Sequence, residues 1–346
     1  MTAIALDAMG GDNAPQAEVA GAIAAVDETQ VRVILVGDKD RLHAELKSHG
    51  RSECEQIEIR HASEVVSMKD NPGKVFRQKT DSSMRIATDL VVSGEAGALV
   101  SAGNSGAMLS HCLFLLKRLP SVERPGIIQE FPRPTGIVTI CDLGANTVVS
   151  PTMLAQFGIL GAHYNRILHS QKRPRVGVLS NGTEDSKGTE LTRDASELLR
   201  QAAGHVDAEF EFVGYVEGSD ILADKVDVLA TDGFTGNVVL KTMEGVSEAV
   251  MRMIKTAMGS TVRAKLGGLL ARPALLAFRD SIHYSKFGGT MLLGINGTAT
   301  ICHGRSNAEA ITNAILKTNR LLEKNLRQEL GHAIARHAEL WKSVKQ

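Results

Sequence analysis

Lys187 stands in the run Asn181-Gly-Thr-Glu-Asp-Ser-Lys-Gly188, beyond an apolar stretch that reads as a strand and just before a helical pattern. A cation there opposes the positive end of the helix dipole, an unfavourable placement that makes sense if an anion binds beside it. Asp232-Gly-Phe-Thr-Gly-Asn237 has a similar character. Its two glycines, the Thr235 hydroxyl and the Asn237 amide gather donors at the mouth of a long helix, a nest suited to phosphate. Ser101-Ala-Gly-Asn-Ser-Gly106 opens another helix, where Ser105 reads equally as a helix cap or a phosphate ligand. Asp7-Ala-Met-Gly-Gly-Asp12, Asp142-Leu-Gly-Ala-Asn146, Gly294-Ile-Asn-Gly297 and His303-Gly304 are four further turns of related composition. Glycine admits close approach of backbone to a ligand, and Asn or Thr adds neutral donors. The chemistry these residues suit is the binding of a phosphate-sized anion.

The elements that must hold these turns alternate between strand and helix. Strands are expected at 2–7, 31–36, 57–61, 97–101, 136–141, 175–179, 209–213, 226–231, 291–295 and 298–302. Helices are expected from Pro15, at 39–49, 82–93, 104–117, 150–169, 188–203 and 236–258, with a last pair from 306 to 344. Around Pro120, Pro125, Pro132 and Pro134 the pattern breaks into loops. Alternation of this kind predicts an α/β fold with a doubly wound, mostly parallel sheet in three αβα layers. In an open parallel sheet all the glycine turns fall along one edge, where ligands bind. No repeat, low-complexity tract or linker divides residues 1–346, so a single α/β domain is expected.

Several function classes lack their residues. The first turn is Gly10-Gly-Asp-Asn-Ala-Pro15 rather than G-x-G-x-x-G, and Asp38 is a weak match to a ribose-binding acid. There is no G-x-x-x-x-G-K-[ST] loop for a nucleotide triphosphate and no G-x-S-x-G nucleophile elbow. Cys54, Cys112, Cys141 and Cys302 are dispersed with no CxxC, which points to reduced thiols and no metal or redox motif, and no organic cofactor is indicated. Net charge is zero and aromatics are 4%, so neither a global field nor stacking platforms favour nucleic acid. The first residues lack a basic start and meet Asp7 after a short apolar run, so they read as a strand rather than a signal peptide, and no stretch approaches the ~20 apolar residues of a membrane span. A cytoplasmic protein is expected.

The helix at 236–258 carries Val239, Met243, Val246, Val250, Met253 and Ala257 at spacings of four and three, which suits burial against the sheet or sharing with a second subunit. From Arg252 to Arg279 there are six basic residues and no acid, interleaved with leucines. Gly267, Gly268 and Pro273 are expected to break this stretch into short amphipathic pieces, part of a protruding segment at about 243–280. Arg263, Lys265, Leu266, Leu269, Leu270 and Arg272 are its candidate contacts with a membrane surface or an acidic carrier protein, against the alternative of a hairpin packed in a dimer.

Six ordered motifs, from the Asp7–Pro15 turn through Ser101–Ala107, Asp142–Asn146, Glu184–Gly188 and Asp232–Lys241 to Leu292–Gly297 with His303-Gly304, resemble bacterial phosphate acyltransferases over residues 2–330. The resemblance implies a homodimer with the fold of phosphate acetyltransferases and isopropylmalate dehydrogenases. It implies conversion of fatty acyl carrier protein and inorganic phosphate to acyl phosphate, the first step toward phosphatidic acid, at the inner face of the cell membrane. It also suggests a membrane glycerol-3-phosphate acyltransferase that consumes the product. Phosphate is already a charged nucleophile, so positioning and fixed donors carry the reaction and no triad is required. On this reading Lys187 and the N–H groups around Asn104, Ser105 and Gly106 hold phosphate. Asn237, with Thr235 and Gly236, holds phosphate or the developing oxyanion, and Asn146 joins the substrate site. His303 is either the proton donor to the leaving thiolate or a structural histidine. Ser180-Asn181-Gly182 departs from the family pattern by shifting the amide one position, which in extended chain turns it to the other side. Thr290-Met291 likewise replaces an expected small residue and proline. Two competing functions are a phosphate acetyl- or butyryltransferase acting on coenzyme A thioesters and a non-catalytic membrane scaffold.

Overall fold

Short apolar runs pair into one mixed sheet in the computed structural model, which describes residues 2–282 and 284–343. Its strands are β1 (Ala3–Asp7), β2 (Arg32–Gly37), β3 (Ile57–His61), β4 (Ala96–Ser101), β5 (Gly126–Arg133), β6 (Gly136–Cys141), β7 (Arg175–Leu179), β8 (Glu211–Val216), β9 (Val228–Ala230), β10 (Thr290–Leu293) and β11 (Thr298–Ile301). The helices are α1 (Gln16–Glu28), α2 (Lys39–Ser48), α3 (Pro72–Gln78), α4 (Ser83–Ser93), α5 (Ser105–His111), α6 (Pro151–His169), α7 (Glu190–Ala203), α8 (Gly233–Gly259), α9 (Val262–Ile282), α10 (Ala308–Glu323), α11 (Leu326–Arg336) and α12 (Ala338–Ser343).

Strand order is β3-β2-β1-β4-β11-β10-β5-β6-β9-β7-β8. Strand periodicity sorts the core into layers. In β1, Ile4 and Leu6 pack with Val19 of α1, Leu42 of α2 and Ile311 of α10, whereas Ala3 and Ala5 face Met84 of α4 and Met108 of α5. In the other half, Val176 and Val228 meet Phe157 and Tyr164 of α6, Leu199 of α7 and Ile334 of α11. Each such fully buried large side chain contributes about 1.5–3 kcal/mol relative to an exposed one. The doubly wound three-layer architecture expected from the alternation is present.

Strand direction departs from that expectation in the middle of the sheet. β11 runs parallel to β4 and β1, β10 is antiparallel to β11, β5 to β10, and β6 to β5. β9, β7 and β8 then follow β6. The two parallel halves therefore point opposite ways, and their carboxyl ends lie on opposite edges. The single edge inferred from the turns is corrected: the sheet has two.

Two local readings are also corrected, and one helix that the sequence did not suggest is added. Residues 126–133 form β5 rather than a loop, because Pro125 precedes the ladder and Pro132 sits near the hairpin end, paired with Ile137 beside the turn into β6. Residues 72–78 form α3, with Asn71 accepting the Gly73 N–H and Pro72 at the first helical position. The chain after residue 306 makes three helices rather than two.

Only Gly233, Gly236 and Leu240 of α8 are buried, whereas Val246, Val250 and Met253 are exposed. At 27 residues the helix is about 40 Å long, and the strand it follows has three residues, so it runs past the sheet. α9 packs back along α8 as one unbroken helix, despite Pro273 and the two glycines. Met251, Ile254 and Met258 face Ala264, Gly268, Ala271 and Leu275 as the half-buried stripes of the pair. Gly268 permits the approach, since a Cβ there would stand 3.2 Å from the Met258 Cβ. The glycine that was expected to break the segment instead seats one helix on the other.

Candidate active site

The carboxyl ends of β6, β9 and β7, three adjacent strands, carry one group of the expected residues. Asp142, fully buried after β6, organises it. Its carboxylate accepts the N–H groups of Ile127 (2.8 Å), Ala145 (3.1 Å) and Asn146 (2.7 Å), and the Asn146 side-chain amide at 3.0 Å. Burial raises the Asp142 pKa, and these donors oppose the rise. The Asn146 amide also donates to the Pro125 carbonyl at 2.8 Å. Both its hydrogens are thus engaged inside the protein, which makes Asn146 a strut of the turn rather than a ligand donor.

After β9, α8 begins with Asp232 as N-cap. The Asp232 carboxylate accepts the Thr235 N–H at 2.9 Å and the Thr235 hydroxyl at 2.7 Å. The Gly233 N–H donates to the Asn146 carbonyl and the Gly236 N–H to the Asp232 carbonyl. The anion nest expected at residues 232–237 is therefore closed by the protein's own groups, and Thr235 and Gly236 shape the helix start. Gly236 lies directly against the Asp142 carbonyl, in space no Cβ could share.

Asn237 is different. It is exposed, its amide has no partner among the described residues, and it lies over Gly144, where an added Cβ would stand 3.7 Å from the Asn237 Cβ. Gly144 has φ +129°, a conformation that favours glycine, and it belongs to the Asp142–Asn146 turn marked in the sequence. Lys187, after β7, is also exposed and has no ion pair among the described residues. Its loop is closed by the Gly188 N–H donating to the Asn181 side-chain oxygen at 3.0 Å, which gives Asn181 a structural role. Helix α7 starts beyond it, capped by Thr189 and Thr192. Among the described residues, this edge thus presents an unpaired cation after β7 and, after β9, an unpaired amide over a glycine turn.

The opposite edge carries the other group. Asn104 caps α5 through the Ala107 N–H at 3.0 Å, and its amide reaches the carbonyls of Ser67, Met68 and Asp70. Ser105 and Gly106 follow in the first turn of α5. His303 is exposed, its Nδ1 accepts the Arg305 N–H at 3.2 Å, and the Asp12 N–H donates to the Gly304 carbonyl. The joint phosphate site expected from Lys187 with Asn104, Ser105 and Gly106 is not assembled within one chain, because the inverted central strands separate them. His303 is separated from Lys187 and Asn237 for the same reason.

Beneath this second edge, at the end of β1, lie buried carboxylates that sequence patterning did not reveal. Asp7 accepts the Ser101 hydroxyl at 2.7 Å, and burial raises its pKa. Glu18 of α1 is fully buried under Gly11, and neither oxygen makes a well-aligned hydrogen bond. Burial pushes Glu18 up to about 7, with the nearby N–H of Gly11 offsetting part of the shift. Cys112, Cys141 and Cys302 are buried, with burial raising each thiol pKa, so none is a thiolate nucleophile; Cys54 is exposed. Among the described residues no three His, Cys, Asp or Glu side chains gather as metal ligands, and no helix is long and apolar enough to cross a membrane.

The sequence profile of the fatty acid synthesis proteins matches residues 2–329. A phosphate acyltransferase of Syntrophotalea carbinolica is 49% identical over 312 residues, covering 90% of this chain and 88% of that protein. One from Geobacter sulfurreducens is 47% identical over 328 residues, covering 95% and 93%. The chain belongs to the phosphate acyltransferase family of fatty acid synthesis proteins. As a member of that family it is an enzyme, an acyltransferase. The architecture is that of the phosphotransacetylases: the Streptococcus pyogenes structure aligns with a TM-score of 0.63 at 17% identity, covering 93% of this chain and 94% of that one. The EutD phosphotransacetylase of Staphylococcus aureus aligns at 0.59 and 16% identity, covering 92% and 93%. At such identities the likeness concerns the fold.

Proposed function

We propose that this phosphate acyltransferase moves a fatty acyl group from acyl carrier protein to inorganic phosphate, the first step of phospholipid synthesis, at the edge carrying Lys187 and Asn237. The observation that carries the reading is this pair of exposed, unpartnered donors beyond the ends of neighbouring strands, Lys187 after β7 and Asn237 after β9 over the open Gly144 turn. Lys187 holds phosphate as a point charge, and the Asn237 amide donates to the oxyanion that forms as phosphate attacks. A phosphate oxygen bonds to the thioester carbon, the C–S bond breaks, and the departing thiolate takes a proton from water. Phosphate brings its own negative charge, so no acylated residue intervenes.

The same reading includes peripheral association with the inner face of the cell membrane and a homodimer. Val246, Val250, Leu266, Leu269 and Leu270 are exposed apolar side chains on the hairpin, and Arg263, Lys265 and Arg272 suit anionic lipid or an acidic carrier. A membrane acyltransferase that transfers the acyl group onward to glycerol 3-phosphate is the matching consumer. The test is incubation of purified protein and phosphate with palmitoyl-acyl carrier protein or with acetyl-, butyryl- or palmitoyl-coenzyme A, trapping acyl phosphate with hydroxylamine. Acyl phosphate from the carrier-protein thioester is expected; product only from the coenzyme A thioesters rejects the carrier-protein substrate.

A further inference from the structure

We infer that the main-chain N–H of Gly144 is the second donor to the oxyanion of acyl transfer, paired there with the Asn237 amide. The inference rests on the reaction proposed above. In the turn after β6 the N–H groups of residues 142–146 have sharply different fates. That of Asp142 donates to the Thr231 carbonyl at 3.0 Å, and that of Leu143 to the Ile127 carbonyl at 3.0 Å. Those of Ala145 and Asn146 donate to the Asp142 carboxylate at 3.1 and 2.7 Å. The Gly144 N–H between them has no partner among the described residues, and Gly144 is exposed. Thr231 and Ile127 hold the chain before Gly144, and Asp142 holds the chain after it. A donor fixed on both sides yet unused by the fold is preorganised for something outside it.

Conformation, not space, calls for glycine at this point. Its φ of +129° is one that L-residues rarely adopt, whereas a Cβ there would meet only ordinary contacts. Those contacts are all with Asn237: Cβ at 3.7 Å, Cγ at 3.8 Å and Oδ1 at 4.0 Å. The unpaired amide is therefore the neighbour of the unpaired N–H, and a half-turn of the amide exchanges its oxygen for its NH2 group at that place. The absent side chain leaves the Gly144 donor open to an approaching carbonyl.

Two neutral donors suit charge that develops during reaction better than charge that arrives with a substrate. A phosphate oxygen adds to the thioester carbon, the carbonyl π pair moves to oxygen, and N–H groups about 3 Å from that oxygen take up the new charge. As the carbonyl re-forms, the C–S bond breaks and the thiolate takes a proton from water. Phosphate is already anionic before it attacks, and the Lys187 cation is its match. Attacking group and oxyanion thus have different partners.

The test exchanges the Gly144 N–H for oxygen by incorporating glycolic acid at position 144 of the full-length chain, which adds no bulk. The resulting ester also weakens the Leu143 carbonyl as an acceptor, but that carbonyl accepts no hydrogen bond among the described residues. Acyl phosphate is trapped with hydroxylamine from palmitoyl-acyl carrier protein and from acetyl- and palmitoyl-coenzyme A. On whichever thioester the wild type uses, kcat should fall tenfold or more, with the phosphate KM within twofold and the urea midpoint unchanged. The same exchange at Ala145 removes a donor to buried Asp142 and should lower the midpoint. A kcat loss below tenfold, a larger effect on phosphate KM than on kcat, or a midpoint lowered as far as by the Ala145 exchange overturns the inference. Product from coenzyme A thioesters alone rejects the carrier-protein substrate, while the Gly144 exchange is still read on those thioesters. No product from any of them rejects both the reaction and its oxyanion donor.

Discussion

Lys317 Nζ stands 2.6 Å from Glu130 Oε2, an ion pair that joins α10 to the central antiparallel strand β5. Both side chains are buried, and the Tyr164 hydroxyl donates to the same oxygen at 3.2 Å. Lys317 also donates to the carbonyls of Phe287 and Gly289, where the chain returns from the helical hairpin. Burial alone would raise the Glu130 pKa, but Lys317 and His169 outweigh it and hold Glu130 down at about 2. The pair therefore fixes both the inverted strand and the root of the hairpin.

Replacing Lys317 by Met leaves the Glu130 carboxylate buried with only His169 Nε2, 3.0 Å from Oε1, beside it, and unfolding in urea at pH 7 should show a loss of about 3–5 kcal/mol. The pH dependence has a definite sign. A carboxylate with a depressed folded-state pKa stabilises above its unfolded value of 4.5 and loses that contribution as pH falls through about 2. The gap between wild type and variant should narrow from pH 4.5 downward. A gap independent of pH rejects the pair as its source.

Glu18 gives the opposite sign. Its folded-state pKa is raised from 4.5 to about 7, so its contribution is intact below 4.5 and is lost as pH rises through 7. That rise corresponds to at most ~3.4 kcal/mol of stability lost in ionising a carboxylate under Gly11. Glu18→Gln should raise the melting temperature at pH 8 and leave it unchanged at pH 4. A variant less stable at pH 8 would show that the ionised group has a partner.

Sequence patterning exposed every strand but β5, and most helices, because their periodicities are set by burial: Ile4 and Leu6 face one layer and Ala3 and Ala5 the other, as alternation requires. Strand direction is not encoded that way. β10 carries the apolar Met291-Leu-Leu293 that a parallel strand would, and β5, with Gln129, Glu130 and Pro132, does not read as a strand at all, so nothing in Gly126–Arg133 or Thr290–Leu293 announces the inversion that divides the site residues between two edges. The glycine turns were legible as close-packed turns, but donor count overstated the nest at residues 232–237, since Asp232 and Asn146 take its N–H groups. The apolar stripe of α8 was legible as well. Its exposure was not, because that depends on where the sheet stops.

Lys187→Ala should lower kcat/KM by about 10²–10³, with a raised phosphate KM, as expected for loss of one preorganised charge contact. Its exposure and lack of an ion pair among the described residues predict a change in unfolding free energy within about 0.5 kcal/mol. Steady-state kinetics with phosphate as the varied substrate, together with a denaturation curve, decide it. Wild-type kinetics would remove Lys187 from the site.

Asn237→Ala and Asn146→Ala should separate chemistry from structure. Asn237 has an amide unpaired among the described residues, so its loss should reduce kcat with little change in stability. Asn146 donates to buried Asp142 at 3.0 Å, so its loss should cost about 1–3 kcal/mol of stability, with activity falling through disorder of the turn. Equal stability losses in the two variants would assign both amides a structural role.

The outer face of the hairpin should carry membrane attachment independently of catalysis. Leu266, Leu269 and Leu270 are exposed on α9, close in sequence to Arg263, Lys265 and Arg272. Each leucine that inserts contributes up to about 1.5–3 kcal/mol, and each cation near an anionic surface about 1 kcal/mol. A few of each suffice for reversible attachment. Changing the three leucines to Glu should abolish co-sedimentation with phosphatidylglycerol liposomes while the soluble acyl-transfer rate stays within twofold, because Lys187 and Asn237 stand at the sheet edge and the leucines on the hairpin beyond it. Unaltered liposome binding would reject the anchor, and conversion of a dimer to a monomer would identify the leucines as interface residues.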